Sequence, residues 1–103
     1  MFTNQHYITQ GIEAEIPPIT QLLLWQMIRA RRMDGAELDY LQVFELSEDE
    51  GVQKIKHAQE NPPFQGEAVL LGPEPVTATI YVIDDGDRST MMLSDEYSEG
   101  RAA

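Results

Sequence analysis

His6 and His57 are the side chains of this sequence that ordinarily titrate near neutral pH, so general acid–base catalysis would have to run through one of them. Neither sits in a recognisable catalytic motif. The serines and threonines lack a nucleophile elbow, and no glycine pattern of the kind that cradles a phosphate or a dinucleotide occurs. Zero cysteines remove thiolate nucleophiles, thiolate metal sites and disulfides together. The reading is therefore no catalytic residue, no cofactor and no metal, with both histidines structural.

Carboxylates cluster in three places: Glu48-Asp49-Glu50, Asp84-Asp85-Gly86-Asp87, and Asp95-Glu96 with Glu99. Asp85 and Asp87 across a glycine faintly resemble a calcium loop, but that loop needs its glycine after the third ligand and a bidentate glutamate at its end. Asp and Gly are also what tight turns demand, and turn chemistry explains the cluster more simply. If the clusters converged on one edge, they would present a phosphate-like array able to occupy the basic groove of a DNA-binding protein.

The other residue that asks for an explanation is Trp25, the only tryptophan of the chain. Its helix presents Ile19, Leu22, Leu23, Met27, Ala30 and Met33 on one broad face at about 100° per residue, with Leu24 and Ile28 on the shoulder. Trp25 falls instead between Gln21, Arg29 and Arg32, toward water. A C-terminal strand, a loop or a stacked arginine would cover it, and a homodimer is one further source of cover. The alternative is a contact surface, because Trp and Arg are enriched at binding hot spots.

These residues need elements to hold them. Tyr7–Ile12 has the alternation of a short first strand, and Pro17-Pro18 opens a helix over Pro17–Met33 that closes on Arg29, Arg31 and Arg32 with Gly35 as cap. Tyr40–Leu46, apolar on both faces, reads as a central strand. After the turn at 47–51, Gln53–Gln59 alternates as a strand. Ser47 and Glu50 also fit a helical capping box, but Gly51 favours a hairpin. Phe64–Leu71, Val76–Ile83 and Ser89–Leu93 complete the sheet, the last two joined at Asp85-Gly86, a strong hairpin signal. Beyond Ser94 a short helical turn and a frayed tail over 94–103 are expected.

The expected fold is α+β: a mainly antiparallel sheet of about five or six strands, with one principal amphipathic helix packed on one face. All of 1–103 is read as a single domain, since no linker or repeat divides it. Charge is distributed unevenly. The first 33 residues carry two acids against three arginines, net +1, and the other 70 carry sixteen acids against four bases, net −12, giving −11 for the chain. An acidic body is repelled by nucleic-acid phosphate and anionic membranes, so direct partnership with either is excluded. With no signal-peptide pattern and no apolar run of membrane length, the default location is cytoplasmic.

Several stretches together resemble a known family. They are Met1-Phe2-Thr3-Asn4 with Tyr7–Ile12, Ile16-Pro17 leading to Leu22-Leu23-Leu24-Trp25, Asp39–Leu46, Gln53–Glu60, and Ile83-Asp84-Asp85-Gly86 leading to Ser89–Leu93. The sequence resembles the small proteins of low-GC Gram-positive bacteria and their phages that form the Domain of Unknown Function family nine hundred and sixty. The resemblance implies a bacterial or phage setting and carries no catalytic residue with it.

From the residues themselves the expected function is a non-enzymatic cytoplasmic protein-binding module, able to pair with a second copy. Trp25, Arg29 and Arg32 are the first candidate contact patch. Glu48, Asp49, Glu50, Asp84, Asp85 and Asp87 are the second, and on the alternative reading they make the chain a nucleic-acid-mimicking inhibitor.

Overall fold

Alternation governs the middle of the chain. Gln42, Phe44 and Leu46 are buried on one side of a strand, and Gln53, Ile55, His57 and Gln59 on the same side of the next. The computed structural model describes residues 1–97. Its elements are β1 (Gln5–Ile8), α1 (Gln10–Glu15), α2 (Pro18–Met33), β2 (Leu41–Asp49), β3 (Val52–Gln59), β4 (Phe64–Leu70), β5 (Ala78–Asp84) and β6 (Arg88–Leu93), followed by a helical turn over 94–97. The rest of the expected tail, with Glu99, lies outside the described residues.

The six strands form one sheet in the order β1-β6-β5-β2-β3-β4, antiparallel throughout except where β1 runs parallel to β6. β2 is interior, as its two-sided apolar pattern requires. The hairpin reading of 47–59 holds, with β2 running on through Asp49. The turn is only Glu50-Gly51, with φ of +53° and +80°, the double positive φ that suits the twist of a tight hairpin. Glu48 and Asp49 are thus strand residues facing Gln53 and Val52 rather than parts of a loop.

One sheet face carries the core. Phe44, Leu46, Ile55, Ile80, Val82 and Met91 meet Phe2, Ile12, Ile16, Leu24 and Ile28 in a single buried cluster. Cover therefore comes from the N-terminal segment, α1 and α2 together, and the helical part is three segments instead of one principal helix. No described helix is long and apolar enough to cross a membrane.

Two expectations about the first third need correcting. Tyr7–Ile12 is not one strand: β1 ends at Ile8, and Thr9 caps α1 by accepting from the Ile12 N–H at 3.4 Å. Burial at Ile12 and Ile16, four apart, follows the helical period once the cap forms. The buried stripe of α2 is Thr20, Leu24 and Ile28, whereas Ile19, Leu22 and Met33 are 50%, 51% and 70% exposed. The helix is turned from its most apolar face: Arg31, in line with Leu24 and Ile28, reaches Gln59 and Phe64, and Trp25 on the flank stacks on His6.

β5 also begins two residues later than its pattern suggests. The side-chain amide of Gln53 takes both backbone groups of Val76, accepting from its N–H at 2.8 Å and donating to its carbonyl at 3.0 Å. A side chain substitutes for a strand partner there.

Glu96, just past β6, accepts hydrogen bonds from Thr9 Oγ1 (2.6 Å), Gly11 N (3.1 Å) and Leu93 N (2.9 Å), tying α1 to the end of the sheet. A Cβ on Gly11 would stand 2.7 Å from that carboxylate. Gly11→Ala is accordingly expected to displace Glu96 and lower stability by about 1–2 kcal/mol, the worth of the hydrogen bonds given up. A urea midpoint shifted downward with unchanged slope would register it.

Candidate functional site

The residues of the first candidate patch converge. Leu22, Trp25, Arg29 and Arg32 line a groove of about 390 Å³, whose other wall is the N-terminal segment with Phe2, Asn4 and His6. Sequence spacing put the indole toward water, and its cover turns out to come from the first strand. The His6 imidazole lies flat on Trp25, ring centroids 3.9 Å apart and planes within 5°. Trp25 is half-buried, with its inner edge against the core cluster.

The far wall is held in place by polar contacts. Asp84 accepts from Phe2 N at 2.7 Å and Asn4 Nδ2 at 3.0 Å, and Ser89 donates to Asn4 Oδ1 at 2.6 Å. Arg32 Nη1 donates to the Phe2 carbonyl at 3.0 Å, bridging α2 and the N-terminal segment Phe2–His6, which forms a strap along the groove. Phe2 itself is buried with a φ of +63°, an unusual backbone for a bulky residue that these contacts hold. Burial of Asp84 opposes its ionisation. The hydrogen bonds from Phe2, Gly86 and Asn4, with the terminal amino charge, outweigh that and hold the carboxyl below its ordinary value.

The groove's charge is as informative as its shape. Among the described residues its lining contains Arg29 and Arg32 and no Asp or Glu, in a chain of net charge −11. Among the described residues the ion pair is Lys54 with Asp49 at 3.9 Å, so neither groove arginine is neutralised by a neighbouring carboxylate.

The acidic candidates are dispersed. β5 pairs antiparallel with β2, Ile83 opposite Leu41 and Ala78 opposite Leu46, so the Asp84–Asp87 turn and the Glu48–Glu50 hairpin lie at opposite ends of the sheet. The length of β2, about 26 Å, separates them. Asp84 is occupied as above, and Asp85 accepts from Asp87 N and Arg88 N, each at 3.1 Å, which is turn chemistry. Glu48, Asp49, Glu50 and Asp87 are exposed. No group of three or more metal-ligating side chains comes together among the described residues.

The sequence reading missed a buried polar cluster beneath the sheet. His57 stacks on Phe44 (centroids 4.3 Å) and meets the edge of Phe64 (5.4 Å), whose ring carries the Arg31 guanidinium 3.5 Å from its centre. His57 Nε2 lies 2.6 Å from Gln42 Oε1, and Gln42 Nε2 donates to Gln59 Oε1 at 2.8 Å. Because Gln42 spends its amide N–H groups on Gln59 and the Asp39 carbonyl, its oxygen accepts and His57 carries its proton on Nε2. Burial, and secondarily the charge of Arg31, lower the His57 pKa from 6.5 to about 4. The cluster's alternation was visible in β3, but nothing marked Gln42, Gln53 and Gln59 as buried, since glutamine is usually exposed. The hydrogen-bond partners of His57 and His6 are Gln42 and the Phe2 carbonyl, so among the described residues neither histidine is hydrogen-bonded to a carboxylate.

Comparison with known proteins agrees on family and fold. Residues 5–96 match the family described as Staphylococcal protein of unknown function (DUF960), and the chain belongs to it. A crystal structure of a protein of unknown function from Enterococcus faecalis is similar in fold, with a TM-score of 0.79 and 24% identity over 90% of each chain. No curated protein matches the chain.

Proposed function

We propose that this member of the DUF960 family is a non-catalytic docking module of the bacterial cytoplasm, which holds a segment of another protein in the groove between α2 and the N-terminal strap. The observation that carries the reading is the groove's composition. A lone tryptophan and two arginines, the residue types that dominate binding hot spots, share one concave surface with a wall fixed in advance. A preformed wall loses little entropy on binding.

Two other readings gain less support. Mimicry of nucleic acid asks for one continuous acidic array, and the acidic turns lie at opposite ends of the sheet. Pairing with a second copy must overcome repulsion between two bodies of charge −11.

Affinity capture from the native host tests the proposal. Wild-type protein is expected to retain a partner that Trp25→Ala releases, with a loss of roughly 30-fold or more in affinity, the level of a hot-spot residue. Met33→Ala, at an exposed position outside the groove lining, should retain it. Identical captured sets for wild type and Trp25→Ala would rule the groove out.

A further inference from the structure

We propose that the occupant of the groove is an acidic segment of the partner, read as an apolar side chain followed within about four residues by carboxylates. The inference rests on the docking reading and adds the chemistry of the ligand. Leu22, Trp25, Arg29 and Arg32 are spaced i, i+3, i+7 and i+10, so they form one stripe along α2. At about 1.5 Å per residue the stripe is roughly 15 Å long, the span of four to five residues of extended chain. It is graded. Leu22, 51% exposed, and the Trp25 ring make an apolar end, and the two guanidiniums make a cationic one.

The cationic end is prepared for a carboxylate. Arg32 has one donor committed to the Phe2 carbonyl, which orients its planar head and leaves other N–H groups for a ligand. Arg29 is exposed and makes no hydrogen bond or ion pair among the described residues. Asp84, the carboxylate that bonds the N-terminal strap, is already engaged by Phe2 and Asn4. A groove lined by arginines and, among the described residues, by no acid, in a chain with eighteen acids and seven bases, complements negative charge at short range. At physiological ionic strength the repulsive body of the protein is screened beyond about 8 Å, so a short acidic segment can seat where a large acidic surface could not.

Trp25 is the sole tryptophan, so its fluorescence reports on the groove directly. The probe is a blocked peptide carrying one leucine followed by three glutamates, titrated beside a version with lysines in place of the glutamates. The glutamate peptide should change Trp25 emission saturably and bind at least tenfold more tightly than the lysine peptide. That preference should shrink severalfold between 20 and 300 mM salt, values at which screening differs strongly (about 20 Å against about 6 Å). Arg29→Glu should lose at least tenfold for the glutamate peptide while its urea midpoint stays at the wild-type value.

Equal binding of both peptides, or binding unaffected by Arg29→Glu, overturns the acidic ligand. So does displacement of the glutamate peptide by oligothymidine, which would assign the site to nucleic acid. A wild-type dimer that Arg29→Glu splits would make the occupant a second copy and overturn it as well. If neither peptide binds but partner capture still depends on Trp25, the inference fails and the docking reading stands. If capture is also indifferent to Trp25, both fail.

Discussion

Gln59→Leu is expected to lower the stability of this protein by about 3–5 kcal/mol, a large part of the roughly 5–15 kcal/mol typical of a domain. Its side chain, almost fully buried, is the centre of the polar cluster. Its oxygen accepts from Gln42 Nε2 (2.8 Å), Arg31 Nη1 (3.0 Å) and Asp39 N (3.2 Å). Its nitrogen donates to the carbonyls of Pro62 (2.7 Å) and Glu37 (3.0 Å). Leucine of similar volume would fill the space and leave these groups unpaired inside the protein, where each costs more than a formed hydrogen bond supplies. The change should also free Arg31 from one of its two anchors, loosening α2 against the 36–39 connection. Denaturant unfolding of wild type and variant measures the loss; a difference under about 1 kcal/mol would mean that water replaces the glutamine without penalty.

Acidification gives the second large effect. His57 resists protonation in the folded protein to about pH 4, while in the unfolded chain it takes up a proton near 6.5. The unfolded state therefore binds more protons between those values, and stability falls as pH is lowered through that window. The full difference is about 3 kcal/mol, reached near pH 4. Asp84 and Glu96 act next in the same direction. Burial disfavours their charged forms, but their hydrogen bonds prevail and hold both carboxyls low. Their contribution is complete above the ordinary carboxylate range and is lost as pH falls through their lowered folded values. Urea unfolding from pH 7 to pH 4 should show a steady decline, and His57→Phe should flatten the slope while costing stability at neutral pH through the abandoned Gln42 oxygen. A stability that is level from 7 to 4 in the wild type would mean that His57 is protonated without penalty.

What was legible in the sequence is what local periodicity controls. The strands from Tyr40 onward and the hairpins at 47–59 and at Asp85-Gly86 follow alternation and turn chemistry, with β2 extended through Asp49 and β5 begun at Ala78 as the differences. The errors come from long-range partners. Tyr7–Ile12 looks extended until Thr9 caps a helix whose first turn is pinned by Glu96, more than eighty residues away. The apolar wheel of α2 points one way, but Arg31 is drawn to Gln59 and Phe64 and Trp25 to His6, and those pairings rotate the helix. Val76 looks like strand because no local signal says that a glutamine side chain will claim its backbone.

The candidate groove divides in the same way. Trp25, Arg29 and Arg32 share a helical stripe by spacing alone, so their association was readable. Its other wall was not, because Phe2, Asn4 and His6 are brought there by Asp84, Ser89 and Arg32 across the fold. The acidic clusters at 48–50 and 84–87, similar in type, are set at opposite ends of the sheet by strand register, which composition cannot express.

The most direct test of the docking surface is amide and indole NMR of the isotope-labelled chain with a captured partner added stepwise. Shifts concentrated at Leu22, Trp25, Arg29, Asn4 and His6, with the Trp25 indole N–H among the largest, are the predicted result. Shifts confined to the hairpin ends at Glu48–Glu50 and Asp84–Asp87, with the α2 groove unmoved, would contradict it.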